Sequence, residues 1–467
     1  MQGSYLKPKG CKILFFAAAL SLAALAGCEA VEQETHPRKR PNFPSGLAIS
    51  GKTLTLLSMN YSLRFTSGGI FTIDLDEVES EIKRLESTPP AQRFISGDVV
   101  VTSSAYIEAL ARQAIIVSGG NPAKTAVLFQ NRAEETLQAV QLENGQLKCN
   151  GQPHTGPVFG QDCVNGKGIL TLKGREPYTM DTLPLATGAT FPRIVMGYLG
   201  SDQIDVVELN QDNGYPAHVV DSAHLLDLVD RKDLREHVGD QVQRARVRSV
   251  KVLAEGHNGY AGETLVFAAV EFKLSIDPTF IDATAARIVW FPVSKLLDGS
   301  LDKSDLGEWN ITSAINSKGV SDLEVVVENG VARLYALLTK PDAIVRADLK
   351  TIPKGTTLKS AVLRRILETC DHPLQLNYLP KAQKLIMGCY DGAAQASIRL
   401  LDPGTLKRTH ILSRFGRGLG AFKFDEDRNR VYVSYGINGT VGVLQLSDLS
   451  PKGHIFPNAP RNLPGGT

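Results

Sequence analysis

Over most of this chain, apolar side chains alternate with polar ones in short runs, the period of a half-buried strand. The clearest stretch is RVYVSYGINGTVGVLQLSDLS, from Arg430 to Ser450. Val431, Val433 and Tyr435 alternate with Tyr432 and Ser434, and Gly436, Asn438 and Gly439 supply the backbone freedom of a turn. Thr440 to Leu446 is a second strand, and Asp448 follows it. Ahead of this hairpin, Ala421 to Phe424 predicts another strand and Asp425 to Asn429 a polar turn.

The same grammar recurs upstream. Lys384 to Leu406 has a strand, an Asp-Gly turn and a strand ending on Asp402. Arg333 to Thr351 turns at Lys-Pro-Asp and ends its second strand on Asp348. Arg193 to Asp212 carries Glu208 in the closing position, and Leu54 to Val78 carries Asp74. Two copies are looser: Ala114 to Gln130 lacks the closing acid, and Thr264 to Leu296 holds a long insertion in its turn. Seven ordered units, starting roughly 45 to 80 residues apart, predict an all-β chain folded as a β-propeller of seven blades, each of about four antiparallel strands. A lone blade exposes apolar residues on both faces, so blades stack around an axis until the ring closes. One helical insertion is expected near 221–242, where Leu225, Leu226, Val229, Leu234 and Val238 share a helical face after an N-cap-like Asp221.

The first residues assign an address. Lys7, Lys9 and Lys12 precede the apolar run Ile13 to Gly27, the layout of an export signal and too short for a comfortable membrane span. It ends in Leu25-Ala26-Gly27-Cys28, which resembles the lipobox of bacterial lipoproteins. That resemblance implies a signal peptide over 1–27, lipidation of Cys28 (a palmitate-bearing anchor), and a membrane-tethered chain in the bacterial envelope. Glu29, rather than Asp, after the lipidated Cys favours the outer membrane, facing the periplasm or the cell surface. Residues 28–44, polar and with three Pro, form a tether; 45–455 form the single propeller domain; 456–467 form a flexible tail. Loss of 1–27 removes three Lys and no acid from 51 basic and 49 acidic side chains, leaving a formal charge of −1. This argues against nucleic acid as a partner.

Of the six Cys, Cys11 leaves with the signal and Cys28 takes the lipid. The remaining four form two sequence-local pairs, and an oxidising compartment predicts disulfides Cys149–Cys163 and Cys370–Cys389.

VYVSYGINGTVGVLQLSDL resembles the repeat of YVTN-type bacterial propellers, and Pro44 to Ile49 resembles the strand preceding that unit; Ser434 and Tyr435 replace the repeat's threonine and asparagine. The resemblance implies the fold but not a function, because such propellers serve as scaffolds and binding platforms as often as enzymes.

No catalytic motif is present, and neither a cofactor nor a metal is expected. Gly416 to Gly420 is glycine-rich but precedes a strand, so it is an inter-blade loop, not a dinucleotide turn. Asp425, Asp427 and Asn429, and likewise Asp298, Ser300 and Asp302, lack the Gly and Glu that complete a calcium loop. Trp290 and Trp309 cannot supply the Trp-rich docking of a quinone-dependent dehydrogenase. The one suggestive row is Arg244, Arg246 and Arg248, which alternate with Ala245, Val247 and Ser249. On an inner strand these guanidiniums line the channel and bind an anion or acidic partner; on an outer strand they pair with blade acids such as Glu208 or Glu255. A uniform Arg face needs a bulge, because the simple register brings Val250 and Val252 onto it. The resulting expectation is a non-enzymatic propeller that binds a protein or envelope polymer. The alternative is a lactonase-like or other metal-dependent hydrolase with carboxylates at the channel mouth.

Overall fold

The computed structural model describes residues 43–59, 68–108, 111–118, 125–149, 161–163, 167–229, 242–254, 263–274, 284–328, 330–349, 357–358, 363–367, 370–390 and 395–456. All belong to the compact unit Thr35–Thr467. The signal, Cys28 and the lipobox lie outside the described residues.

Seven sheets follow one another along the chain, each built on a four-strand antiparallel path. Their first strands are Pro44–Ser50, Ala111–Ser118, Pro177–Thr182, Val242–Leu253, Gly319–Glu328, His372–Leu379 and Leu419–Asp425, here blades 1 to 7. These strands line the axis, and blade 1 meets blade 7 to close the ring. Apolar faces of adjacent blades pack together; one such layer joins Leu379, Ile386 and Ile398 of blade 6 to Phe422, Val433 and Tyr435 of blade 7.

In six blades the repeated units read from the sequence fall on the second and third strands; in blade 7 these are Arg430–Tyr435 and Thr440–Gln445. The exception is blade 2, where Ala114 to Gln130 spans the first and second strands. The true third strand there is Thr136–Glu143, which does end on an acid. The closing acids serve turns: Asp74 caps the helix Leu75–Arg84 by accepting from the Asp76 and Glu77 amides, and Asp402 accepts from the Thr405 amide at 2.8 Å.

The helix expected after Asp221 starts later. Asp221 sits within the strand Pro216–His224, and the helix Leu225–Leu228 takes its first-turn amide bond from Asp202 Oδ2, 2.8 Å from Leu226 N. Strand pairing with Gln203–Leu209 holds residues 216–224 extended and overrides the helical periodicity. Residues 230–241 lie outside the described residues.

Both disulfides form, with Cα–Cα separations of 5.2 and 5.5 Å, and both sit where one blade passes to the next. Cys163 follows Gln161–Asp162, which adds a parallel strand to blade 1, whereas Cys149 follows a strand paired with blade 2.

Ring closure uses an insertion rather than a shared strand. Phe94–Ser96, from within blade 1, pairs in parallel with Pro451–Phe456 as the outermost strand of blade 7. The helix Leu75–Arg84 packs with it: Leu75, Val78, Ile82 and Ile95 join Tyr432, Val441, Val443 and Ile455 in one apolar cluster. Arg430 makes a bidentate pair with Glu79, at 2.8 and 2.7 Å, and Arg428 reaches Asp76 at 2.9 Å. His454 on the last strand stacks on Phe415 at 4.1 Å, and burial pushes its imidazole down to about 4.

Two predictions follow from this clasp. Ile95→Ala removes fully buried apolar surface between the insertion and blade 7 and costs about 2–4 kcal/mol. Arg430→Ala, at a partly shielded pair, costs about 1 kcal/mol. Urea unfolding checks both, and equal losses would refute the assignment of closure to apolar packing. His454 also makes closure acid-sensitive. Above pH 6.5 neither state is protonated, but between 6.5 and about 4 the unfolded chain takes up a proton that the folded one refuses, so stability falls. His454→Phe should flatten the stability profile over that window relative to wild type, and parallel profiles would refute it.

Candidate functional site

The inner strand of each blade is an edge strand, so its outward N–H and C=O groups have no strand to pair with. Every inner strand also shifts register near the mouth onto which its second and third strands turn. The shifts lie between Pro44 and Gly46, Ala111 and Ala114, Pro177 and Thr179, Val247 and Ser249, Val320 and Asp322, Pro373 and Gln375, and Leu419 and Phe422. These are bulges, which re-aim side chains and free backbone groups.

A polar residue beside each of the first six bulges reaches the next blade. Ser45 Oγ donates to Ala111 O at 2.7 Å, and the Gln113 amide group both accepts from Met180 N and donates to Met180 O at 3.0 Å. Thr179 Oγ1 accepts from Val250 N at 3.0 Å, and Ser249 Oγ donates to Asp322 Oδ1 at 2.6 Å. Asp322 Oδ2 accepts from Leu376 N at 2.8 Å, and Gln375 clasps Phe422 N and O at 3.1 Å. The seventh junction closes by direct approach: a Cβ on Gly420 would stand 2.4 Å from Pro44 O, so only glycine fits. The result is a belt that ties six of the seven blade junctions, one to two bonds at a time, and closes the seventh by contact.

The belt surrounds a cavity of about 180 Å³ with walls from all seven blades. Tyr178, Arg248, Lys251, Asp322 and Lys423 are its main functional side chains. Lys251 pairs with Glu324 at 3.0 Å. Burial opposes the charge on Lys251, but attraction to Glu324, Asp322 and Asp181 wins and its pKa is raised. For Asp181, Asp322 and Glu324, burial outweighs the pull of Lys251, so all three carboxyl groups lie above their ordinary range. Lys423 is lowered by burial and then by Lys251.

The arginine row lies on the inner strand of blade 4, as one of its two readings required. The bulge between Val247 and Ser249 intervenes, so Ser249 and Lys251 continue toward the channel while Val250 is buried in the blade interface. Arg246 and Arg248 share one acid, Glu271 from the adjacent strand of the same blade, not Glu208 or Glu255. Glu208 pairs with Arg193, and Glu255 lies outside the described residues. Arg248 also faces the Tyr178 ring at 5.7 Å. The Arg244 side chain lies outside the described residues. Sequence reasoning missed Lys423 and Asp322; Lys423 was the one charged residue in the predicted strand Ala421 to Phe424, whereas Asp322 lies ahead of the unit read at Arg333 to Thr351.

The other candidates resolve as structural. Asp425 accepts from Arg428 N and Asp427 pairs with Lys381, which makes that run a hairpin turn. Asp298 and Asp302 accept from the Ser300 and Ser304 amides. Among the described residues, no three His, Cys, Asp or Glu are placed to hold a metal.

No protein-family model matches the chain, and no curated protein matches it in sequence. Solved structures do resemble it. The Cps50 (Swd1) β-propeller domain of Myceliophteria thermophila is 9% identical, covers 87% of this chain and 98% of its own, and has a TM-score of 0.51. Hydrazine synthase of Kuenenia stuttgartiensis is 12% identical over 88% of this chain and 98% of that one, with a TM-score of 0.50. A 6-phosphogluconolactonase-like protein of Bacteroides uniformis is 14% identical over 79% and 85%, with a TM-score of 0.46. At such identities the likeness shows the propeller fold alone.

Removing the Asp322 carboxylate leaves the Ser249 hydroxyl and the Leu376 amide without their acceptor. Asp322→Ala should cost about 3 kcal/mol in urea unfolding, and Asp322→Asn less. A loss below about 0.5 kcal/mol in Asp322→Ala would show the belt to be incidental.

Proposed function

We propose that the chain is a bacterial envelope lipoprotein, anchored through Cys28, whose ring binds a protein or envelope-polymer partner rather than turning over a substrate. The commitment of the channel acids carries this reading. Both oxygens of Asp322 accept belt hydrogen bonds, those of Asp181 accept from Val252 N and Thr182 N, and Glu324 holds Lys251. A hydrolase of the lactonase type needs carboxylates free to hold a metal or move a proton at the mouth, and these are spent on holding blades together. The lipobox and the YVTN-like final blade support the same reading from the sequence side.

Crosslinking on intact cells should give one discrete adduct, and Cys28→Ala should abolish both palmitate incorporation and that adduct. Stoichiometric calcium or zinc in the purified protein, together with lactone hydrolysis, would overturn the proposal.

A further inference from the structure

The channel cavity is lined by more cations than carboxylates. Three cations line it, Arg248, Lys251 and Lys423, against one carboxylate, Asp322, whose oxygens are already occupied by the belt. Lys251 has its partner in Glu324. Arg248 approaches Glu271 through Nε at 3.4 Å, that nitrogen makes no hydrogen bond, and Glu271 is already engaged by Arg246.

Lys423 stands apart. Among the described residues no carboxylate lies within ion-pair distance of it and no group accepts its hydrogen bonds. It stands beside a second lysine, and the carboxylates that attract it, Asp181, Glu324 and Asp322, act from beyond ion-pair distance while bonded to Val252 N, Lys251 and the belt. Channel cations left without a direct partner are characteristic of functional sites.

We propose that the cavity is a binding site for a small organic dianion of carboxylate or phosphate chemistry, gripped by Lys423 and Arg248, with Lys251 adding its field from the wall. The proposal rests on the reading of the ring as a binding module and adds to it a ligand of defined class. A cavity of about 180 Å³ has room for inorganic phosphate or a short dicarboxylate. Seven bulges fixed by the belt hold the wall before the ligand arrives, so little ordering cost falls on binding. The Tyr178 ring, set against Arg248, limits where that guanidinium can swing.

Calorimetry and thermal melting of the mature chain test this with two probes, inorganic phosphate and malonate, and the neutral diamide of malonate as control. Wild type should bind at least one dianion with a Kd below about 1 mM, and should melt higher in about 10 mM of it. Lys423→Met should weaken binding at least about tenfold. Arg248→Gln should weaken binding comparably, and the exposed control Lys407→Met should not. Binding of one probe alone assigns the ligand's chemistry and supports the site. No melting shift with either probe, or equal binding by wild type, Lys423→Met and Arg248→Gln, overturns it. If the crosslinked adduct survives in Lys423→Met while anion binding is absent from wild type, the channel proposal fails and the scaffold reading stands.

Discussion

Seven edge strands meet around one axis, and each must find partners for amides that no further strand can reach. This constraint organises the channel. Ordinary sheets hide or blunt their edges, whereas here the edges face inward and each borrows a side chain from the preceding blade. Gln113 and Gln375 each supply a donor and an acceptor, Ser45 donates, Thr179 accepts, and Asp322 accepts from both directions. Where no side chain serves, at Gly420, the backbones themselves close in.

The periphery solves a different problem. A ring opens where its ends meet, and here the first and last blades are fastened by a segment inserted in blade 1 that reaches across to the edge of blade 7. The apolar cluster under the helix Leu75–Arg84 supplies the non-directional energy, and Arg430 with Glu79 fixes the angle. The two disulfides do comparable work at blade junctions 1–2 and 5–6.

Much of the architecture was legible because a blade is encoded locally. Alternation at period two, a Gly or Asp turn, and a closing acid all lie within about twenty-five residues, so the hairpins of blades 1, 3 and 5 to 7 stand out from the sequence. Blade 2 was read one strand out of phase because its third strand, ending at Glu143, lies beyond the stretch that matched. The pattern of Leu225 to Val238 misled in part, because apolar spacing does not register the cross-strand pairing that keeps Asp221 extended. The arginine row was visible, but not that a bulge at Arg248 would redirect Ser249 and Lys251 into the channel or that Glu271 would claim two guanidiniums.

By itself the sequence determined the number of blades, the central hairpins of most of them, the cysteine pairing and the expectation of an envelope anchor, since each depends on residues near one another along the chain. Which polar side chains meet across blades was decided only by the tertiary structure. Arg248, Asp322 and Lys423 come from three separate blades and converge because the ring curves them onto one axis. Their burial, pairing and shifted charge states follow from that convergence, and no local pattern carries information about it.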